Sequence, residues 1–197
     1  ATGRSPVMQA LAEQGLTGGG EGVDAGFAPD KYLHHGQQLT LAGLRFGVLH
    51  TPGHMGGHLC FALGGTLFSG DHVMGWSSSL VSPPDGDMAA YMTSLTLLQQ
   101  SNWTMMLPGH GNAIHDPATR LSELISHRQN REAQVLAALQ AGPASAEDLA
   151  ARIYTEIPPA LLPAATRNIL AHLIDLQARN RLTTPTPLTA TSLFQTI

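Results

Sequence analysis

Thr51-Pro52-Gly53-His54, Ser69-Gly70-Asp71 and Pro108-Gly109-His110-Gly111 each set a metal-ligating side chain beside glycine, where a strand-like run ends. Glycine lets the backbone turn sharply at such a point, so His54, Asp71 and His110 can all reach from loops into one cleft. Imidazole nitrogens and a carboxylate form the donor set of a catalytic Zn²⁺ or another first-row divalent ion, and a carboxylate can bridge two ions. A site of that kind polarises a carbonyl or phosphoryl oxygen and makes hydroxide from bound water near neutral pH, which is hydrolase chemistry. An isolated histidine at a strand end is more often a hydrogen-bonded structural residue.

The flanking sequence supports this placement. Leu39 and Leu41 alternate with Thr40, Ala42-Gly43 makes a turn, and Leu44, Phe46 and Val48 alternate with Arg45 and Gly47, forming a hairpin that feeds His50. Residues 59 to 63 and 66 to 69 flank Gly64-Gly65, a two-glycine hairpin turn. Asp87 caps a helix whose core positions Met88, Tyr91, Met92, Leu95 and Leu98 recur at helical spacing. A short strand over residues 103 to 107 delivers Pro108, and Asp116-Pro117 opens a long helix to about residue 139. Antiparallel hairpins followed by strand, helix, strand and helix predict a layered α/β (α+β) unit.

Residues 1 to 38 combine a short helical pattern at Val7, Met8 and Leu11, a glycine-rich tract from Gly15 to Gly22, and turns near Pro29 and Gly36. Gly142-Pro143 interrupts the helical pattern downstream and predicts two domains, 1–141 and 142–197. In the second, Ser145 and Asp148 form a capping box for a helix over residues 146 to 154. Pro158, Pro159 and Pro163 break the next stretch, a helix runs from about 165 to 179, and the tail from 182 to 197 is strand-like. Helices followed by a final hairpin are the outline of a winged helix.

TPGH-x₃-H, then SGD, then PGHG resembles the later motifs of the metallo-β-lactamase superfamily, over roughly residues 39 to 130. Ser126-His127-Arg128 and Arg131-Glu132 after PGHG, followed by a helical appendix, resemble the branch with a C-terminal winged helix. The resemblance implies an αββα sandwich, present here in part, holding one or two Zn²⁺ at the sheet edges. In it His54 would bind the first metal, Asp71 would bridge, and His110 would bind the second. It also implies a hydrolase in which metal-bound hydroxide attacks an ester, thioester, amide or phosphodiester. A thioesterase and an endoribonuclease are both open within that class. The family's earlier H-x-H-x-D-H motif, which would supply further ligands, does not occur in this sequence, and His34-His35 has the wrong spacing. Either this motif lies before Ala1, which the absence of an initial methionine favours, or the protein is a degenerate relative that lacks it; the chain alone is expected to hold metal weakly if at all. The reading from a different class is a non-catalytic scaffold, or a winged-helix nucleic-acid binder with a vestigial hydrolase half.

Other residues carry weaker signals. His58 is expected to support a ligand by hydrogen bonding, His72 to line the substrate cleft or face water, and Trp76 to line the substrate with the loop that follows it. Arg128 and Glu132 stand at surface-pair spacing on the long helix. Cys60 lies in an apolar run as a small buried hydrophobe. A net charge of −4 and a pI near 6.2 disfavour nucleic acid as a partner. Beyond Gly142, Arg152, Arg167, Arg179 and Arg181 are matched by Glu147, Asp148, Glu156 and Asp175. A small-molecule substrate is expected, with the C-terminal module packing, forming a homodimer or roofing the active site. No apolar run approaches the roughly 20 residues that span a bilayer. No basic stretch followed by an apolar core opens the chain, so a cytoplasmic location is expected.

Overall fold

Ser5 caps a first helix, α1 (Pro6–Glu13), with Pro6 in the first turn, where a missing N–H costs no hydrogen bond. The computed structural model describes residues 3–18, 24 and 26–197, so residues 19 to 22 of the glycine-rich tract lie outside the described residues. An antiparallel run follows, β1 (Gln38–Leu41), β2 (Leu44–His50), β3 (Leu59–Leu63) and β4 (Thr66–Gly70). Ala42, Gly43 and Gly64 take positive φ in its two tight turns. A further helix, α2 (Met88–Gln99), capped by Asp87, crosses back to β5 (Met105–Pro108). β5 lies parallel to β4 and completes the sheet order β1-β2-β3-β4-β5. A parallel neighbour requires such a crossover, since a two-residue turn can only reverse the chain.

Side-chain alternation gives this sheet two faces. On one, Cys60, Leu67 and Met106 are fully buried with Tyr91, Leu95 and Leu98 of α2 and with Leu121 and Leu124 of α3 (Pro117–Leu139). The pairings Leu39 with Phe46, Leu41 with Leu44, Val48 with Phe61 and Phe61 with Phe68 place those residues on the other face. There Leu41, Leu44 and Phe68 remain 54%, 50% and 37% exposed, and the Phe46 and Phe68 rings stand 6.0 Å apart. A sheet that is apolar on both faces and covered by helices on one supplies one β layer and one α layer, the expected sandwich in part.

The second half of α3 enters another core. Val135 and Leu139 pack there with Leu149 of α4 (Ala146–Ile153), with Ile169, Leu170 and Leu173 of α5 (Leu162–Ala178), and with Phe194. Met8 and Leu11 of α1 join the same core, so packing runs across the division expected at residue 142. The Ser145–Asp148 capping box is formed, with Ser145 N–H on Asp148 Oδ2 and Asp148 N–H on Ser145 Oγ, both at 3.1 Å. Pro163 does not break the chain as expected. It sits in the first turn of α5, where proline is tolerated, and Pro159 opens a single 3₁₀ turn, Pro159–Leu161. The tail is less strand-like than expected: β6 (Leu182–Thr183) pairs with β7 (Gln195–Thr196), and Phe194 forms a single bridge with Ala144. Pro185 and Pro187 offer no N–H to extend that ladder. Among the described residues no helix is long and apolar enough to cross a membrane.

His172 of α5 is 1% exposed, and burial, reinforced by Arg128, holds its pKa down to about 3. In the unfolded chain the same ring titrates at its ordinary value of 6.5. The unfolded chain therefore takes up a proton that the folded chain refuses, and stability falls as pH drops from 6.5 towards 3. Urea unfolding should show a loss of about 2 kcal/mol between pH 7 and pH 5 from this residue, a loss that His172→Leu removes. An unchanged pH slope in His172→Leu would show that the ring is not held neutral.

Candidate functional site

Gly53 stands where the TPGH string passes the second turn of α2. A Cβ at this residue, whose φ is +142°, would lie 2.3 Å from Tyr91 Cα. The string is therefore pinned by close backbone approach, and His54 leaves it with a defined direction. The His54 Nδ1–H donates to the Leu80 carbonyl at 2.6 Å. A carbonyl can only accept, so this bond places a proton on Nδ1 and leaves Nε2 as the nitrogen able to offer a lone pair. This is the arrangement by which metal-binding histidines are commonly oriented.

Asp71 follows Gly70, which ends β4 at φ +52°. The Gly109 N–H donates to the Gly70 carbonyl at 2.9 Å and draws the PGHG string alongside. His110 Nε2 then stands 3.6 Å from Asp71 Oδ2, with the two side chains 71% and 33% exposed, so this pair opens onto the surface. Asp71 Oδ1 is buried and has no hydrogen-bond partner. The His54 ring is 6.4 Å from that of His58, on which Asp71 also acts electrostatically.

His58 donates to or accepts from Thr51 Oγ1 through Nδ1 at 2.9 Å. Burial and then the neighbouring His54 lower its pKa to about 4, against the pull of Asp71. It is a neutral neighbour of His54 whose hydrogen bond goes to Thr51. From His58 the rings continue inward, to His72 at 5.4 Å and from His72 to Tyr91 at 4.6 Å.

Two sequence expectations are corrected here. His72 neither lines a cleft nor faces water: it is fully buried, with its pKa driven well down by burial. The Tyr91 hydroxyl donates to its carbonyl at 3.2 Å and Ser79 Oγ does so at 2.9 Å, which fixes this residue beneath the loop. Arg128 is not a surface residue paired with Glu132. Its guanidinium is buried and donates to Asn168 Oδ1 at 3.2 Å and to the Ser79 carbonyl, whereas Glu132 pairs with Arg179 at 2.5 Å. His34 and His35 do not act as a ligand pair, because His35 Nδ1 accepts from the His50 N–H at 3.3 Å. Trp76 is 70% exposed and lies against Gly111, whose Cβ would fall 2.6 Å from Trp76 Cδ1, so the indole borders the PGHG string. Ser79, Arg128 and Asn168 carried no local signal in the sequence that would have joined them to the site.

Residues 5–110 match the Metallo-beta-lactamase superfamily, and residues 145–184 match the Beta-lactamase associated winged helix domain. This chain belongs to the metallo-β-lactamase superfamily. It is 36% identical over 154 residues to the Beta-lactamase-like protein 2 homolog of Drosophila melanogaster, covering 76% of this chain and 51% of that protein. Identity to the Atrochrysone carboxyl ACP thioesterase of Aspergillus chevalieri is 35% over 107 residues, covering 53% of this chain and 33% of that one. The crystal structure of a metallo-β-lactamase family protein from Thermus thermophilus superimposes with a TM-score of 0.73 at 29% identity, over 84% of this chain and 54% of that one. The chain thus spans about half, or less, of the length of these relatives.

Metal is the group that superfamily membership implies, and the side chains present fit it in kind. Asp71 Oδ1 lacks any protein partner, His110 Nε2 faces Asp71 Oδ2 beyond hydrogen-bond range, and His54 keeps Nε2 available. They do not complete a centre in number, because among the described residues no three His, Cys, Asp or Glu side chains converge on one ion. A cavity of about 190 Å³ bounded by Arg4, Ser5, His50 and Asp85 reaches neither Asp71 nor His110.

Gly109 offers a direct test of the Asp71 carboxylate, since a Cβ there would sit 2.5 Å from Asp71 Oδ1. The flexible carboxylate must swing aside, at a cost of about 1 kcal/mol in stability. Zinc affinity of the full-length protein should fall about tenfold or more in Gly109→Ala, measured by calorimetric titration. Unaltered affinity would show that Asp71 does not act from this position.

Proposed function

We propose that this chain carries the later half of the active site of a zinc-dependent hydrolase. The Asp71–His110 pair supports the reading most directly, for these two ligand-type side chains face one another at 3.6 Å and Asp71 Oδ1 has no partner within the protein. His54 through Nε2, Asp71 through its carboxylate and His110 through Nε2 would hold the metal. Bound Zn²⁺ supplies Lewis acidity and lowers the pKa of water to about 7. The remaining work falls to the protein's own groups. The Leu80 carbonyl keeps the His54 proton on Nδ1, His58 stays neutral beside it, and Trp76 presents a flat apolar wall next to His110 against which a substrate can lie.

A closed tetrahedral site needs more donors than these, and a four-coordinate ion with one open position needs three from protein. The further donors are assigned to the part of the superfamily's length that this chain does not span, which would also cover the apolar face of Leu41, Leu44, Phe46 and Phe68. A small molecule with an ester, thioester, amide or phosphodiester bond is the proposed substrate. The thioesterase name of the Aspergillus chevalieri relative favours the thioester, and the balanced charge beyond Gly142 favours a small molecule over nucleic acid.

Metal analysis of the full-length protein tests the reading. Near-stoichiometric zinc should be present and should fall to a minor fraction in His110→Ala, with no change in far-ultraviolet circular dichroism. Full metal retention in His110→Ala would remove His110 from the site. Wild-type protein without bound metal would favour the scaffold reading instead.

A further inference from the structure

The loop after Asp71, residues 77 to 84, links the candidate metal ligands to the winged-helix domain by an unbroken set of hydrogen bonds. On the site side, the Leu80 carbonyl accepts from His54 Nδ1 at 2.6 Å, and Ser79 Oγ donates to the carbonyls of Asp71 and His72. On the other side, the Val81 N–H donates to Asn168 Oδ1 at 3.0 Å, and the same oxygen accepts from Arg128 at 3.2 Å. Arg128 also donates to the Ser79 carbonyl. Arg167 donates through Nε to Ser82 Oγ at 2.9 Å and through its terminal nitrogen to the Pro83 carbonyl. Arg167 and Asn168 lie on α5, inside the segment that matches the winged-helix domain.

Burial makes these bonds decisive. Ser79, Val81, Ser82 and Arg128 are all less than 5% exposed, so water cannot replace a lost partner. A buried arginine is held here by neutral acceptors on the loop and on α5, an arrangement that stabilises only if both stay in place. Without it the Leu80 carbonyl would be free to move, and His54 would lose what fixes its tautomer and ring plane.

We propose that the winged-helix domain is a positioning element for the metal site. Asn168, with Arg128 and Arg167, holds residues 79 to 83, and through the Leu80 carbonyl this loop holds His54 with its proton on Nδ1. Asn168 is a positioning residue that acts through two others and touches no reacting atom. The consequence for catalysis rests on the proposed function, whereas the hydrogen-bond relay does not.

Two substitutions separate the acceptor at Asn168 from its bulk. Asn168→Leu keeps the approximate volume and removes the oxygen shared by Val81 and Arg128, whereas Asn168→Asp keeps an oxygen there. The readouts are the ¹⁵N shifts of the His54 ring, amide hydrogen exchange over residues 79 to 83, and titration with zinc alone of the full-length protein. In Asn168→Leu, exchange at Val81 should quicken about tenfold or more and the His54 ring should become a mixture of tautomers. Zinc affinity should fall about tenfold or more, as when an orienting partner of a ligand is lost. Asn168→Asp should match the wild type in all three. The proposal is overturned if Asn168→Leu leaves the ring and the loop unchanged, or if Asn168→Asp disturbs them as much as Asn168→Leu. If Asn168→Leu does not fold, Ser82→Ala takes its place: it removes the Arg167 Nε–Ser82 Oγ bond and leaves the one to the Pro83 carbonyl, so the same signs are expected at smaller size, and an unchanged loop and ring would overturn the proposal. Wild-type protein that binds no zinc would overturn the functional reading, while the ring and exchange data would still decide the relay.

Discussion

Asp71→Asn in the full-length protein should cut hydrolysis by on the order of 10³-fold while leaving the unfolding curve within about 0.5 kcal/mol of the parent. The contrast follows from what Asp71 does and does not touch. Neither of its carboxylate oxygens accepts a side-chain or backbone hydrogen bond among the described contacts, and His110 stands 3.6 Å away. Removing the charge therefore costs the folded chain little. Asparagine keeps the shape, yet it puts an N–H donor where the proposed ligand role needs an oxygen and takes away the negative charge that would bind a cation. Steady-state hydrolysis of thioester and ester substrates, beside urea unfolding, gives both halves of the result. Retained turnover in Asp71→Asn would take away the bridging role. A loss of activity that merely tracked a loss of fold would make Asp71 a structural residue.

The largest effect on stability is expected at Gly53. An alanine Cβ there would fall 2.3 Å from Tyr91 Cα and 2.5 Å from Tyr91 N, atoms of the α2 backbone that cannot turn aside as a side chain would. Tyr91 is fully buried, and the Asp87 N–H donates to the Gly53 carbonyl at 2.8 Å, so helix and string cannot part without breaking the start of α2. Gly53→Ala should destabilise by more than about 3 kcal/mol, from overpacking together with a strained φ. Gly43→Ala isolates the second of these contributions, since Gly43 also has positive φ, +78°, but nothing within 4 Å of a Cβ. Its expected cost is about 1 kcal/mol. Equal losses in the two variants, read from urea midpoints and slopes, would mean that the approach to Tyr91 is not what requires glycine in TPGH.

Much of the fold lies in short-range chemistry. Ser145 and Asp148 cap α4, Asp87 caps α2 through the Ala90 N–H, and Asp116 caps α3 through the Thr119 N–H, each within three residues of its partner. Gly43 and Gly64 adopt the positive φ that their hairpins require. Pro163 was harder to read, because the same ring that ends a helix interior is tolerated in a first turn, and which applies depends on where α5 begins.

Local chemistry, legible residue by residue, settled where strands end, where helices start, and that His54, Asp71 and His110 each leave a strand end beside glycine. Long-range contact alone decided what surrounds them. Arg128 lies four residues from Glu132 along a helix, and local spacing offered that pairing, yet its partners are 40 and 49 residues away. His72 follows Asp71 directly and is held in the core beneath Tyr91, 19 residues further on, whose hydroxyl bonds its carbonyl, and beside Ser79 of the following loop. Hydrogen bonds and burial depend on separation in space, which the chain's order does not specify until the sheet, the loop and α5 have closed on one another.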